Sequence, residues 1–98
     1  MHFEELWERC ENFHKENNQS GSSTDSDIAE LMMKLNLYKF LSTKTDMPEE
    51  DLLKIKSRAL GEILLLITKL SLKDNINTFT ALKEALEYKS IEVFSEKY

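Results

Sequence analysis

Along the chain, apolar residues return every three or four positions in four separate stretches, a pattern that predicts helices. Phe3, Leu6, Trp7, Cys10 and Phe13 recur with Glu4, Glu5, Glu8 and Glu11 between them, which predicts an amphipathic helix over 2–16. The small polar run from Asn17 to Thr24 has no apolar area to bury, so 17–25 is expected to be a flexible loop. Asp25 and Asp27 offer oxygens to the unpaired amides of a helix start, and Asp27 with Glu30 has the spacing of a capping box. A second helix over 26–41 follows, with Ile28, Leu31, Met32, Leu35 and Tyr38 as its expected buried stripe. Pro48 suits a first helical turn and Glu49 and Glu50 complement the dipole there, which starts a third helix over 48–71. Its apolar positions include Leu52, Leu53, Ile55, Leu60, the run Ile63 to Ile67 and Leu70, and they occupy more than one face. Asp74, Asn75 and Asn77 are turn or cap residues before a fourth helix over 77–94 that carries Phe79, Leu82, Ala85, Leu86 and Val93.

Composition narrows the fold. The chain of 98 residues suits one small domain, and 2 Gly and 1 Pro leave few of the tight turns a many-stranded sheet needs. The expectation is an all-α, four-helix, bundle-like domain spanning 1–98. A chain this small cannot cover every side of the apolar run in the third helix, so completion by homo-oligomerisation, as a dimer or tetramer, is expected. With 13 Lys and Arg against 18 Asp and Glu, the net charge of -5 disfavours a duplex nucleic-acid partner. The longest apolar run, Ile63 to Ile67, is far below the roughly 18–20 residues that span a bilayer, so no membrane partner is expected. A single cysteine and the absence of a basic-then-apolar leader in the opening residues point to the cytoplasm.

Catalytic chemistry is sparse. Cys10 and His14 share a helix face at i, i+4, but Cys10 lies on the apolar stripe beside Trp7 and Phe13, where a buried thiol is the ordinary outcome. The acidic pairs Glu5/Glu8, Glu8/Glu11 and Asp27/Glu30 have a spacing that can share a magnesium ion, yet the first two lie on a polar face and the third has a capping role. Trp7, with Phe3 or Phe13, could stack on a nucleobase, although the helical spacing reads first as core. No Gly-rich phosphate loop, paired-cysteine zinc motif or nucleophile elbow is present. No catalytic residue, metal or cofactor is expected.

The segments Leu31-Met32-Met33-Lys34-Leu35-Asn36-Leu37, Ala59-Leu60-Gly61-Glu62-Ile63-Leu64-Leu65-Leu66-Ile67 and Asn75 to Leu86 follow one another in a familiar order. Over about residues 28–90 the chain resembles the MazG-like, all-α nucleotide pyrophosphohydrolases. That family binds magnesium through an E-x-x-E pair and an E-x-x-D pair and cleaves nucleoside triphosphates to monophosphate and pyrophosphate. Superposing the Leu-Gly-acid segment places those ligands at Lys34, Leu37, Ala59 and Glu62, so only Glu62 keeps a carboxylate. The resemblance therefore implies a pseudoenzyme, a non-catalytic binding protein of viral or mobile-element type for a nucleotide or protein partner. Lys34, Arg58 and Glu62 are its ligand-binding candidates, and a direct Lys34–Glu62 ion pair would replace the metal bridge. The alternatives are an active magnesium-dependent pyrophosphohydrolase using Glu62, Glu30, Asp27 and the glutamates of the first helix, or a purely structural interaction module.

Overall fold

In the computed structural model the described residues are 2–17, 23–43 and 46–97, so most of the expected 17–25 loop lies outside them. For Phe3 and residues 93–97 the backbone alone is described. The protein is all-α and bundle-like, with four helices: α1 (Phe3–Asn17), α2 (Thr24–Ser42), α3 (Glu49–Lys73) and α4 (Thr78–Lys97). Helix α3, the longest at 25 residues, is the spine. It packs against each of the other three, α1 also touches α4, and among the described residues the backbones of α1 and α2 do not approach one another closely.

Local chemistry sets the helix ends. Ser23 caps α2, its hydroxyl accepting from the Ser26 amide at 3.0 Å. The capping box expected at Asp27 is therefore not formed; Asp27 lies a full turn into the helix and does other work. Ser23→Ala is expected to lower the unfolding free energy by about 1 kcal/mol in urea denaturation. Helix α3 closes in a Schellman motif: the Ile76 amide donates to the Ser71 carbonyl and that of Asn75 to the Leu72 carbonyl. Asn75 takes the left-handed conformation (φ 58°) that the motif requires. The Asn77 side-chain oxygen then accepts from the Phe79 and Thr80 amides at 2.9 and 3.2 Å, starting α4.

The inward face of α2 is not the expected stripe. Asp27, Leu31, Lys34, Tyr38 and Leu41 recur at alternating four- and three-residue steps and lie buried or half-buried, whereas Ile28, Met32 and Leu35 are exposed. Apolar residues encircle α2, so periodicity could not pick its face. The packed side was chosen by partners on α3: Lys69 and Lys73 for Asp27, Glu62 for Lys34, and the Lys56 ammonium 5.2 Å from the Tyr38 ring centre. A similar shift occurs in α1, where His14 is buried and Phe13 is exposed. Trp7 docks α1 onto α4 by meeting Phe79 edge to face, with ring centres 6.2 Å apart.

Among the described residues Leu41, Ala59 and Ile63 are the buried hydrophobic ones, a very small core. The radius of gyration is 16.5 Å, against about 13 Å for a compact chain of this length. The accessible surface is 7972 Å², where a compact monomer of this mass would expose about 5,800 Å². Among the described residues no helix is long and apolar enough to cross a membrane.

Candidate functional site

Because α1 and α2 both lie on α3 with their backbones apart, a gap runs between them with α3 as its floor. This cleft, about 360 Å³ in volume, is lined by Phe13, His14 and Asn17 from α1, Glu30 and Lys34 from α2, and Glu62, Leu65, Leu66 and Lys69 from α3. That volume is within the usual range for small-molecule sites.

Three ion pairs cross from α2 to α3, at two places. In the cleft, the Lys34 ammonium donates to a Glu62 carboxylate oxygen at 3.1 Å. Arg58, one turn earlier on α3, approaches the other Glu62 oxygen at 3.8 Å and is itself exposed rather than part of the cleft lining. Both Lys34 and Glu62 are a third or more exposed, so Lys34→Met is expected to change stability by no more than about 1 kcal/mol in thermal unfolding. Deeper, Asp27 is only 1% exposed and is held by Lys69 at 3.2 Å through one oxygen and by Lys73 through the other. Lys69 thus lines the cleft while anchoring α2.

On the α1 wall, His14 Nε2 is 2.8 Å from Thr68 Oγ1, and the Thr68 hydroxyl donates to the Leu65 carbonyl at 2.7 Å. With its proton so committed, Thr68 can only accept from the ring, which fixes the neutral Nε2–H tautomer of His14. Burial, reinforced by the nearby Lys69 charge, pushes the His14 pKa below its ordinary value. Phe13 meets the imidazole edge to face, with ring centres 5.5 Å apart, and leaves much of its ring open to the cleft.

The residues singled out by sequence are thus partly brought together. Lys34 and Glu62 meet in the cleft, Arg58 flanks it, and Trp7 is committed to Phe79. Cys10 is a free, half-buried thiol. Sequence reading missed His14, Asn17, Leu65, Leu66 and Lys69 as cleft residues, and Lys73 as a partner of Asp27. The signal for the lysines was present: Lys69 and Lys73 stand at i, i+4 and interrupt an apolar helix on one face.

A divalent cation does not fit the four positions at issue. Glu62 is already shared by Lys34 and Arg58, Leu37 is aliphatic and exposed, and Ala59 is buried. Among the described residues no three His, Cys, Asp or Glu side chains are grouped to hold a metal ion. No protein-family model matches this sequence, and neither the curated proteins nor the solved structures hold a match to it.

Proposed function

We propose that this chain is a non-catalytic helical binding protein resembling a MazG-like pyrophosphohydrolase without its metal ligands. The cleft between α1 and α2 takes a phosphate-bearing ligand of nucleotide size. The observation that supports this most is the Lys34–Glu62 contact, which puts an ammonium where the resemblance calls for a carboxylate. Phosphate oxygens compete with Glu62 for Lys34 and Arg58, while the open face of Phe13 offers a stacking surface for a base. Stacking of that kind contributes about 1–3 kcal/mol per base. The single free thiol is in keeping with a reducing, cytoplasmic setting.

Calorimetric titration with nucleoside mono- and triphosphates and cyclic nucleotides tests the reading. Binding without magnesium, weakened at least about tenfold in Lys34→Met, is the expected outcome, since a charged hydrogen bond of about 1.5–3 kcal/mol is lost. Heat that requires magnesium, or pyrophosphate released from a triphosphate, overturns it and restores the active-enzyme alternative with Glu62, Glu30 and Asp27 as ligands.

A second reading, a protein-interaction module that works as a homo-oligomer, is favoured by a separate observation. Large apolar side chains, Met33, Leu64 and Leu86 among them, are exposed on α2, α3 and α4.

A further inference from the structure

Among its described side chains, helix α4 is anchored at its start. Phe79 is half-buried against Trp7, but every described side chain from Thr80 to Glu92 is exposed, with Leu82 at 61%, Leu86 at 65% and Ile91 at 65%. An isolated helix of this length is marginal in water, because most helical stability comes from burying one face against a neighbour. The first half of α3 has the complementary defect. On α3, Leu53, Leu60 and Leu64 form an exposed apolar stripe. Beside it Gly61 opens onto empty space: apart from its chain neighbours and the backbone of its own helix, no described atom is within 4 Å of where a Cβ would stand. A glycine inside a helix weakens it relative to alanine, a cost that allows a second backbone to approach closely.

We propose that α4 of one copy lies along the Leu53–Leu60–Gly61–Leu64 face of α3 in a second copy, and reciprocally, so that the pair forms a symmetric dimer by exchanging α4 arms. The area argues for it. The exposed surface exceeds that of a compact monomer by roughly 2,000 Å² per chain. A standard interface needs only about 800 Å² from each partner. Length agrees: the stripe from Leu53 to Leu64 and the open segment from Thr80 to Ile91 each extend roughly 17 Å at the helical rise. The arrangement is independent of the cleft-ligand reading, since none of these residues lines the cleft.

Sedimentation equilibrium at tens of micromolar tests the proposal on the full chain. Wild type is expected to be dimeric, and Leu64→Glu, Leu86→Glu and Gly61→Trp each monomeric. Gly61→Trp carries weight because its side chain enters open space and so leaves the fold of one copy intact, checked by an unchanged helical circular dichroism spectrum. Mixing Leu64→Glu with Leu86→Glu regenerates a heterodimer, because one sound α3 face then meets one sound α4 arm. A monomeric wild type, variants that remain dimeric, or a mixture that stays monomeric would each overturn the exchange. A dimer that dissociates in Leu64→Glu but is not regenerated by mixing indicates α3 packed on α3 instead.

Discussion

Asp27→Ala is expected to lower the unfolding free energy by about 3–5 kcal/mol, the usual result of removing one partner from a buried ion pair. Two lysines then lose their common anion: Lys69 and Lys73 have side chains only 18% and 23% exposed and stand one turn apart on α3. Their repulsion remains after the carboxylate has gone, and neither ammonium regains full hydration without lifting α2 from α3. Small domains are stable by about 5–15 kcal/mol, and a core of three buried apolar residues puts this one at the low end. Urea denaturation followed by circular dichroism should therefore find Asp27→Ala largely unfolded in dilute buffer or at a much lower midpoint. The triple replacement Asp27→Leu, Lys69→Met, Lys73→Met should instead be as stable as wild type or more so, since an apolar triad avoids the cost of dehydrating three charges. A loss below about 1 kcal/mol in Asp27→Ala would mean that the contact is an ordinary surface pair.

The same residue marks the limit of what could be read in the sequence. Helix positions, the Pro48 start, the Asn75 turn and the Asn77 cap were legible because local chemistry decides them within a few residues. The face that each helix buries was not. On α2 the apolar residues encircle the helix, so Ile28, Met32 and Leu35 offered as good a stripe as Leu31, Tyr38 and Leu41, and the choice rested on distant charges. Asp27 looked like a cap because aspartates usually serve there, and only Lys69 and Lys73, 42 and 46 residues away, reveal its other role. Lys34 and Glu62 were the exception: the direct ion pair expected between them is present, and the two meet at 3.1 Å. His14 was hidden for a further reason. A neutral imidazole counts as polar in any hydropathy pattern, although it can be buried once a hydroxyl such as that of Thr68 takes its proton donor.

Two of the buried polar residues, Asp27 and His14, divide the labour of assembly in a chain with little apolar core. Asp27 fixes α2 to the end of α3, and His14 fixes α1 to the same stretch through Thr68, one residue before Lys69. Lys69 serves both, since it pairs with Asp27 and its charge reaches the His14 ring. Both anchors set the width of the cleft, since α1 and α2 each pack on α3 and, among the described residues, their backbones do not approach one another closely.

Acidification should loosen the α1 anchor before any ordinary carboxylate titrates. An unfolded chain protonates His14 at its ordinary value of about 6.5, whereas in the fold burial and Lys69 hold the pKa lower, only partly countered by the Leu65 carbonyl and Asp27. Between those two values the unfolded state binds more protons than the native one, so stability falls as pH falls. The contribution is fully present above about 6.5, declines through the window below it and levels off once the native histidine is itself protonated. Ordinary carboxylates titrate near 4, so urea midpoints measured from pH 7.5 to 5 isolate the effect of His14. His14→Gln should keep a donor for Thr68, cost about 1 kcal/mol at pH 7.5 through its poorer fit, and show a flatter profile to pH 5. Thr68→Val removes the acceptor and should cost about 1–3 kcal/mol at pH 7.5, where the neutral ring is left with a buried, unpaired N–H. A His14→Gln profile as steep as that of wild type would assign the acid sensitivity to another group and separate it from the α1 anchor.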